Sequence, residues 1–501
     1  MIILSLNRNH NGSVCILKDG DIIYHSEEER HSRIKFDSTP YKSLIKGLQL
    51  VDSIDYLLIT GLENDNTKDF YVTLVEKHTK GKFEVIVDDS QHHLWHAATG
   101  FYNSGFEKAV IVVMDGHGAK VEETPSVFDK PLVEIESVYV AEYPDKFTEI
   151  YKKDNSDSNH ISLGFMFETL SDKIFGDKVS AGKVMGLSSY GNDKNYPLNF
   201  NILSDGIKLE IDSEINPLDA SLTLQTHANK RIKNILKNAV IDSGCNNIVF
   251  TGGVALNCVA NYEYLKVKDE NVNFYVEPIS TDDGTSFGYA KLYHHSVTQD
   301  MTIRKQTKVY YGLEYNIDNI EGNVVNYSDV AKLLTEGKII SMYQGGAESG
   351  PRSLGNRTIL FDPRVKNGKE IVNKVKKREE FRPFAGTILQ EHLHDWFDMK
   401  GLDESPFMMY AVNVKEDKAD LIPSIIHVDG TCRIQSLKKE TNEHFYNLIQ
   451  EFYKQTGIPV LFNTSFNLAG EPIVETPQDA IKTLNNSDID YLYFPEKNII
   501  I

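Results

Sequence analysis

The sequence predicts an α/β fold in two domains. Short apolar strands end in glycine-containing turns, and helical patterns follow them. Ala109–Met114 leads into Asp115-Gly116, and Asn247–Phe250 leads into a Thr-Gly-Gly turn. Ligands of α/β proteins bind where strands end and helices begin. We therefore expect the functional residues in these loops.

The first elements are three strands that form a hairpin ribbon. Met1–Leu6 and Val14–Leu17 are apolar and rich in β-branched residues, and the loop between them carries His10. A Lys-Asp-Gly-Asp turn then separates Val14–Leu17 from a third strand at Ile22–His25.

Later elements set the expected domain division. A long helical pattern covers Asp219–Ala239, whereas Ser296–Lys308 is polar and weakly patterned, as in a linker. A second α/β segment follows, with strands expected at Lys338–Tyr343, Met408–Val414 and Ile458–Phe462. The expected domains are therefore residues 1–300 and 309–501, without a tandem repeat in the sequence.

The composition limits the classes of function. The 501 residues include 53 basic and 72 acidic side chains, for a net charge of −19, and 41% are hydrophobic. The hydrophobic content excludes a largely disordered chain, and the acidic balance disfavours a nucleic-acid partner. Small phosphorylated ligands stay open, because they need only a local cluster of Arg and Lys.

The cysteines and the apolar segments indicate a compartment. Four scattered cysteines form no Cys-x-x-Cys pair, which excludes a zinc ribbon or a thioredoxin-type site and indicates a reducing environment. No signal-peptide pattern opens the sequence, and no apolar stretch approaches the ~20 residues that span a bilayer. We therefore expect a cytoplasmic protein.

A candidate metal site begins in the segment QHHLWHA. In a helix over residues 91–103, His92 and His96 lie one turn apart and can share one metal ion. No Glu stands between them as in HExxH, so a zinc protease is not indicated. Asp115 follows a strand, and Asp282 opens an Asp-Asp-Gly turn. Two His and two Asp suit Fe, Mn or Zn; the alternative is a helix with polar surface histidines and a turn-forming Asp115.

Two small-residue loops are candidate contacts for a nucleotide. Thr251–Asn257 follows a strand, and its backbone amides can accept phosphate oxygens. No Walker A or GxGxxG pattern is present, so neither a P-loop nor a Rossmann site is indicated. Ser180–Leu187 is a second such loop, with one lysine at Lys183. The alternatives are a plain turn and a helix-packing segment.

The C-terminal half carries Arg and amide groups beside Gly and Pro. Arg forks recognise phosphate and carboxylate with two hydrogen bonds, so four such loops in an acidic chain predict an anion pocket. The alternative is a set of surface ion pairs. The four loops are Gly350–Arg357, Phe381–Phe384, His427–Arg433 and Asn463–Asn467. Near the N-terminus, the charge run Glu27–Lys35 by itself indicates a solvated helix face.

Taken in order, these motifs resemble the O-carbamoyltransferase family of the tobramycin, cephamycin and nodulation-factor enzymes. The resemblance extends through almost the whole chain. Its segments, besides the His10 loop and the strand-end Asp115-Gly116, are EERHSRIK, HHLWHA, GKVMGL, TGGVALNCVAN, TDDG, GPRSLGNR, FRPFA, HVDGTCR and NTSFNLAGEPI. No single segment is specific, but together they are.

The resemblance implies two domains and a two-step reaction. The first domain would be a duplicated actin- and Hsp70-like (ASKHA) α/β domain, similar to the catalytic subunit of tRNA threonylcarbamoylation. The second would be a YrdC-like domain that forms carbamoyl adenylate. Carbamoyl phosphate and ATP would give carbamoyl adenylate and pyrophosphate, and the carbamoyl group would then pass to a hydroxyl of an acceptor.

The resemblance also implies roles for single residues. The metal would be Fe(II), with Mn or Mg as alternatives, near the phosphate oxygens of the adenylate. Its ligands would be His92, His96, Asp115 and Asp282. The catalytic residues would be His10, Lys35, Arg433 and Ser465. The expected substrate and cofactor contacts are Lys183, Gly252, Gly253, Asn257, Arg352, Arg382, Asn463 and Asn467.

The His10 imidazole can act as general base for the acceptor hydroxyl, or it can only orient the carbamoyl group. His117 follows Asp115-Gly116 where a small or aliphatic residue is more usual, and the segment up to Gly182 diverges from the family. These departures leave the acceptor open among a sugar, a nucleotide and a natural-product scaffold.

Two other functions remain as alternatives. One is an ASKHA-type small-molecule kinase or ATPase, and the other is a non-catalytic nucleotide-binding sensor. The C-terminal Arg and Asn motifs speak against the kinase, and the presence of every expected site residue speaks against the sensor. A homodimer is expected from the family resemblance alone.

Overall fold

The computed structural model describes residues 1–61, 66–120, 133–154, 161–203, 206–210 and 215–501. The chain divides into two compact units. Unit 1 comprises residues 1–28 and 36–306, and unit 2 comprises residues 29–35 and 307–501. The break after residue 306 falls within the segment expected to be a linker.

The segment 29–35 differs from the expected division, which assigned it to the first domain. Its arginines explain its place in unit 2. Arg30 donates a hydrogen bond to the carbonyl oxygen of Gly350 at 2.8 Å. Arg33 donates to the carbonyl oxygens of Ile473 at 2.6 Å and Pro472 at 2.8 Å. These bonds join the segment to two loops that lie more than 300 residues later in the chain.

In the described part of unit 1 there are twelve strands and most of the helices. The strands are β1 (Ile2–Asn7), β2 (Ser13–Lys18), β3 (Asp21–Glu27), β4 (Tyr56–Thr60), β5 (Glu84–Val87), β6 (Lys108–Met114), β7 (Glu134–Glu142), β8 (Lys146–Asp154), β9 (Asn199–Leu203), β10 (Gly206–Glu210), β11 (Asn247–Thr251) and β12 (Asn273–Val276). The helices are α1 (Glu28–Ser32), which leads into unit 2, and α2 (Tyr41–Leu48), α3 (Asn66–His78), α4 (His92–Ser104), α5 (Leu163–Phe175), α6 (Ala181–Leu187), α7 (Pro217–Ser243), α8 (Cys258–Leu265) and α9 (Asp283–Thr298).

Two five-stranded sheets of unit 1 repeat one topology. The first has the order β3-β2-β1-β4-β5, with β1–β3 antiparallel and with β4 and β5 parallel to β1. The second has the order β8-β7-β6-β11-β12, with β6–β8 antiparallel and with β11 and β12 parallel to β6. The topology is therefore duplicated although the sequence carries no tandem repeat. The α/β class expected from the sequence is confirmed.

Helices α4 and α9 pack against each other between the two sheets. Helix α9 lies on β1 and β2, and α4 lies on β6 and β11. Gly288 permits the close crossing, because a Cβ there would lie 2.0 Å from the carbonyl oxygen of Trp95. At the same crossing, the Thr99 hydroxyl donates to the carbonyl oxygen of Gly284 at 2.7 Å. The packing brings the N-terminal ends of both helices to one edge of the unit 1 core.

Unit 2 is built on one ten-stranded mixed sheet. Its strands are β13 (Asn323–Val324), β14 (Ile340–Tyr343), β15 (Arg357–Phe361), β16 (Ala385–Leu389), β17 (Phe397–Asp398), β18 (Ala411–Val414), β19 (Thr431–Leu437), β20 (Val460–Ser465), β21 (Tyr491–Phe494) and β22 (Ile499–Ile500). Their order in the sheet is β13-β22-β21-β14-β15-β20-β16-β19-β18-β17. The helices are α10 (Tyr327–Thr335), α11 (Gly368–Val375), α12 (Leu393–Trp396), α13 (Glu416–Ala419), α14 (Glu443–Thr456) and α15 (Pro477–Asn485).

Some element boundaries differ from the expected ones for local reasons. Helix α7 starts earlier than the helical pattern, because Asn216 caps it and Pro217 occupies the first helical position. The strand expected at Met408–Val414 starts only at Ala411, since Met408 has a φ of 59° and cannot continue a strand. Among the described residues, no helix is both long and apolar enough to cross a membrane.

The first four residues of the charge run near the N-terminus are buried, so the interpretation as a solvated helix face is wrong for them. Glu27, Glu28, Glu29 and Arg30 are 2–7% exposed. The Glu28 carboxylate accepts hydrogen bonds from the backbone N–H of Lys42 at 3.0 Å and of Ser43 at 2.8 Å. These amides belong to the first turn of α2, where Pro40 precedes the helix and supplies no cap. Glu28 therefore takes the place of a capping residue.

Candidate active site and metal centre

Two histidines and two aspartates come together in unit 1 where α4, β6 and α9 meet. His92 and His96 lie one turn apart at the start of α4. Asp115 directly follows β6, and Asp282 directly precedes α9. One potential ligand atom from each of the four lies within 4.8 Å of the others. Both histidine side chains are buried, at 5% and 0% exposed, so they are not surface histidines.

The separations in this cluster match those of ligands around one metal ion. Nε2 of His92 lies 3.1 Å from Nε2 of His96 and 3.1 Å from Oδ2 of Asp115. Oδ1 of Asp282 lies 3.6 Å from each Nε2 atom. Ligands about 2.1 Å from one ion stand roughly 3.0–3.4 Å apart in octahedral or tetrahedral geometry. Two nitrogen and two carboxylate donors therefore fit a divalent transition metal with open positions.

The charges of the cluster favour a bound cation. Burial alone lowers the pKa of His92, but Asp282 and Asp115 outweigh burial and raise it to about 9. Burial also opposes ionisation of Asp115, yet the hydrogen bond to His92 and the charge of His96 hold its pKa below the usual range. Two carboxylates confined with two imidazoles therefore require positive charge, which a divalent ion supplies.

The loop that carries His10 contacts the metal-ligand cluster. The side-chain amide of Asn9 lies 3.4 Å from Nδ1 of His92, the ring nitrogen that faces away from the other ligands. Such a contact orients a ligating imidazole. His10 itself is exposed, and its ring stacks on Phe36 with centroids 5.0 Å apart. The structure thus places an accessible imidazole one residue from the group that holds His92.

Two glycines after β11 leave the space that Asp115 occupies. Gly252 has a φ of 86°, and a Cβ there would lie 2.4 Å from the carbonyl oxygen of Met114. A Cβ on Gly253 would lie 3.1 Å from Oδ1 of Asp115. The Thr-Gly-Gly turn therefore packs directly against Met114 and the Asp115 carboxylate, and its contact with a nucleotide stays a prediction.

Two other residues expected to contact the nucleotide make internal contacts in unit 1. The Asn257 amide exchanges two hydrogen bonds with Gln225, each 3.1 Å long, and caps α8 at Ala260. The Lys183 ammonium lies over the ring of Phe175, 5.0 Å from its centroid. For both residues, contact with a nucleotide stays a prediction.

The anion-pocket residues of unit 2 lie at neighbouring positions of its sheet. Arg433 on β19 pairs with Ala385 on β16, and Ala385 pairs on its other side with Asn463 on β20. Arg382 stands three residues before Ala385, in the loop that enters β16. Ser465, at the end of β20, pairs with Thr358 on β15. The sheet register therefore gathers loops that are up to 83 residues apart in the chain.

Positive charges concentrate beside this edge of the sheet. Burial lowers the pKa of Lys376, and the charges of Arg378, Arg382 and Lys35 lower it further. Burial likewise lowers the pKa of Arg378, with Arg382 and Arg433 adding to the effect. We call these five side chains the cationic cluster. Glu379, 3.8 Å from Arg382, offsets only part of the charge.

Lys376 links the cationic cluster to two predicted residues. Its ammonium donates hydrogen bonds to the backbone oxygen of Ser465, to Oγ of Ser465 at 3.3 Å and to Oδ1 of Asn467 at 3.0 Å. The Ser465 hydroxyl donates to the same Asn467 oxygen at 2.6 Å. Lys376 and Arg378 were missed in the sequence, where the run Lys-Lys-Arg shortly before Phe-Arg-Pro-Phe was the available signal.

The cationic cluster retains capacity for an anion. Among the described residues, Nε of Arg433 has no hydrogen-bond partner although it is buried. Arg378 stacks on Phe384 at 4.0 Å, and its Nε donates to Asn373 at 2.5 Å. Asn373 in turn donates to the carbonyl oxygen of Arg382 at 3.2 Å. These contacts fix the position of Arg378. The five cations of the cluster are thus held together with fewer carboxylates than their charge requires.

Two further predicted residues of unit 2 occupy different surroundings. Arg352 lies in the loop between β14 and β15 and is partly buried. Asn463 is fully buried, and its amide donates to Thr387 at 2.9 Å and to the carbonyl oxygen of Ser353 at 3.3 Å. The Asn463 amide therefore ties three segments together beneath the pocket, and its contact with a ligand stays a prediction.

Comparison with known proteins relates the chain to one family. The family model "Carbamoyltransferase C-terminus" matches residues 331–500. The nodulation protein NolNO of Sinorhizobium fredii is 30% identical over 96% of this chain and 78% of its own length. NolO of Bradyrhizobium diazoefficiens is 32% identical over 80% of this chain and 77% of its own length. The chain belongs to the O-carbamoyltransferase family.

A third relative bears on the activity of the enzyme. The 3'-hydroxymethylcephem-O-carbamoyltransferase of Amycolatopsis lactamdurans is 29% identical over 47% of this chain and 45% of its own length. The protein is therefore a transferase that moves a carbamoyl group. The segment that matches the C-terminal family model contains every member of the cationic cluster except Lys35, together with Ser465 and Asn467.

Proposed function

We propose that this carbamoyltransferase depends on ATP and acts through carbamoyl adenylate, which then carbamoylates a hydroxyl of a small molecule. The cationic cluster of unit 2 is the observation that carries the proposal. Its five cations lie close enough to lower one another's pKa, Lys376 among them bonds Ser465 and Asn467, and too few carboxylates are present to balance the charge. Carbamoyl phosphate and ATP are both anions, and a cluster of this kind offsets their mutual repulsion.

In the first step, carbamoyl phosphate loses its phosphate and ATP loses pyrophosphate. Carbamoyl adenylate joins a carbamate oxygen to the α-phosphorus of AMP, so carbamoyl phosphate must also lose its own phosphate. Each turnover therefore consumes one water and releases one pyrophosphate and one inorganic phosphate. In the second step the acceptor oxygen bonds to the carbamoyl carbon, AMP leaves, and the hydroxyl proton goes to a base.

The residues of unit 2 have separate tasks in the first step. Arg433 and Arg382 offer guanidinium forks for phosphate oxygens, and Lys376 supplies a further positive charge next to Ser465. Lys35 belongs to this same unit, so we assign it to binding the anionic substrates there. A YrdC-like identity for unit 2 accords with this chemistry, because the reaction needs an adenylate-forming pocket.

Unit 1 is the proposed site of carbamoyl transfer. Its duplicated sheet topology is consistent with the ASKHA class, whose nucleotides bind at strand ends. His92, His96, Asp115 and Asp282 would hold a divalent ion, with Fe(II) proposed and Mn or Mg as alternatives. When bound, such an ion polarises phosphate oxygens and stabilises the leaving AMP.

His10 is the proposed base of the transfer step. Its imidazole is accessible, and the neighbouring Asn9 contacts His92, so the loop that carries His10 reaches the metal-ligand cluster. Nε2 or Nδ1 would take the proton of the acceptor hydroxyl as the new C–O bond forms. The other role open to His10 is to orient the carbamoyl group. The acceptor is a small molecule, and a homodimer stays a prediction.

The products distinguish this reaction from its alternatives. The purified full chain is incubated with ATP, carbamoyl phosphate and Fe(II) or Mn(II), and nucleotide and phosphate products are quantified. We expect equal amounts of pyrophosphate and inorganic phosphate, both dependent on carbamoyl phosphate. ADP formation would support the kinase instead, and nucleotide binding without any turnover would support the sensor.

A further inference from the structure

A cavity of about 440 Å³ lies in unit 1 between helix α7 and the strands β7 and β8. Helix α7 lines it with residues that recur every three or four positions from His227 to Asp242, so they share one face of the helix. Among the described residues that line it, none belongs to the metal-ligand cluster or to the cationic cluster. Binding sites for small molecules have volumes of roughly 300–1,000 Å³, so the size of this cavity suits a small ligand.

One end of the cavity contains an arginine whose position is fixed. Nη2 of Arg231 lies 2.5 Å from Oε1 of Glu136 on β7. Nη1 of the same side chain donates to the carbonyl oxygen of Ile161 at 2.6 Å. Lys153 on β8 pairs with Glu136 across the sheet, so its side chain belongs to the same end. The guanidinium and the lysine stem therefore flank a single carboxylate.

Further positive charge from α7 adds to this end. Burial lowers the pKa of His227, and the charges of Arg231 and Lys230 lower it further, which places all three side chains together. Among the described lining residues, the only carboxylate besides Glu136 is Asp242. Asp242 comes eleven residues after Arg231 and thus about 16 Å further along the helix axis. This end of the cavity is therefore positively charged in a chain whose net charge is −19.

The cavity continues into an apolar part. Val138, which lies opposite Tyr151 in the sheet, and Ile235, one helical turn after Arg231, line this part. Ile150 and Tyr151 also line it and are 42% and 43% exposed. These side chains leave apolar surface that a ligand can cover.

The two ends together suit a particular class of ligand. A phosphate monoester carries a charge of about −1.5 to −2 and three strong acceptor oxygens. Because Glu136 neutralises only one of the cations, the charge that remains matches this group better than a single carboxylate. Asn234 and Asn238, one turn apart on α7, also line the cavity and can donate further hydrogen bonds. The apolar part requires that the phosphate carry an apolar body.

We propose that this cavity is a second anion site, which binds a phosphate monoester with an apolar ring. Lys153, Lys230 and Arg231 bind the phosphate oxygens, and the ring packs on Ile150 and Tyr151. The inference does not rest on the proposed function, because the site uses none of the residues assigned to the reaction.

Lysine acetylation measures occupancy at the site itself. The full chain is treated with acetic anhydride while phenyl phosphate, inorganic phosphate or phenol is titrated, and the acetylated peptides are quantified by mass spectrometry. We expect phenyl phosphate to protect Lys230 and Lys153, inorganic phosphate to protect them more weakly, and phenol to protect neither. Lys237 is exposed on α7 outside the cavity, so it is the internal control and should react at one rate throughout.

Paired variants separate the charged contact from the apolar one. Lys230→Met removes a charged hydrogen bond, so half-protection of Lys153 should need about tenfold more phenyl phosphate, whereas Lys237→Met should change nothing. Ile150→Ser should lower the affinity for phenyl phosphate to that for inorganic phosphate. Ile241→Ser alters an isoleucine that is 75% exposed on α7 outside the cavity, and the affinity should stay as in the wild type.

Each outcome bears on one part of the inference. Acetylation of Lys230 at the same rate with and without phenyl phosphate would overturn the site. Equal protection by inorganic phosphate and phenyl phosphate would overturn the apolar part of the assignment. Pyrophosphate release that depends on carbamoyl phosphate should be the same in Lys230→Met and the wild type, and its loss would mean that the cavity belongs to the reaction and is not a second site. If the wild type shows no such release while Lys230 is protected, the proposed function fails and the second anion site stands.

Discussion

The ammonium of Lys376 lies 3.0 Å from Oδ1 of Asn467 and is surrounded by other cations. A buried lysine beside Arg378 and Arg382 is costly unless an anion joins the group. Among the described hydrogen bonds, the ammonium meets only the backbone and hydroxyl oxygens of Ser465 and the side-chain oxygen of Asn467. The fold therefore holds several cations together before any anion binds.

Replacing Lys376 should have opposite effects on substrate turnover and on the stability of the fold. Lys376→Met keeps the apolar stem and removes the charge, so pyrophosphate release should fall about 10²-fold or more. Since the like-charge repulsion also disappears, the melting temperature should stay equal or rise. Lys377→Met, at the adjacent exposed position, is the control and should alter neither quantity. A destabilised variant with normal release would contradict this role for Lys376.

Removing one imidazole should empty the proposed metal centre. His92→Ala and His96→Ala each delete a buried nitrogen donor, so metal measured by mass spectrometry should fall from about one ion per chain to about a tenth or less. His78→Ala removes an exposed histidine on α3 and should keep the metal. Equal metal content in all three variants would mean that these histidines are not ligands.

A methyl group at Gly252 should disturb Asp115 as well as the backbone. The new Cβ would lie 2.4 Å from the carbonyl oxygen of Met114, so Gly252→Ala should cost several kcal/mol and reduce metal binding. Gly244 also has a positive φ, 63°, but nothing within 4 Å of a Cβ. Gly244→Ala should therefore cost only about 1–2 kcal/mol and leave the metal in place. Thermal unfolding and metal analysis distinguish the two, and similar losses in both would argue against the steric explanation.

A buried carboxyl should make stability depend on pH. Burial raises the pKa of Glu277 from 4.5 to about 7, against hydrogen bonds from Ile279, Asn103 and Tyr275. The folded chain therefore binds this proton more tightly than the unfolded chain. The stabilisation is complete below pH about 4.5 and is lost as the pH rises to about 7, by up to about 3 kcal/mol. Lys291, with a pKa lowered to about 8, stays charged across this interval.

The measurement is urea unfolding of the wild type and Glu277→Gln at pH 4.5 and pH 7.5. Glutamine cannot lose a proton, so the wild type should be favoured relative to the variant more strongly at the lower pH. Curves that keep the same separation at both pH values would show that Glu277 has the same pKa in the folded and unfolded chain.

The metal-ligand cluster could be predicted because its signals are local. The i, i+4 spacing of His92 and His96 depends only on the helix, and Asp115 and Asp282 are marked by the strand and helix ends beside them. The unit assignment of Lys35 could not be predicted in this way. It depends on Arg30 and Arg33, whose partner carbonyl groups lie more than 300 residues away in the sequence.

The burial of Lys376 and Asn463 and the charge around Lys376 could not be predicted from the sequence either. A basic run such as Lys376–Arg378 usually lies on a solvated surface. Only the folded chain brings Lys376, which follows α11, beside Ser465 at the end of β20. Asn463 was expected to contact a ligand from the family resemblance, and only the structure shows that its amide also bonds Thr387 and Ser353 within the sheet.

The proposed reaction forms carbamoyl adenylate at the cationic cluster. The most direct measurement is mass spectrometry of the quenched reaction with 13C-labelled carbamoyl phosphate and ATP, for the wild type and Lys376→Met. We expect 13C-labelled carbamoyl adenylate from the wild type and a strong loss in the variant. Labelled adenylate at equal levels in both proteins, or ADP without adenylate in the wild type, would contradict the account.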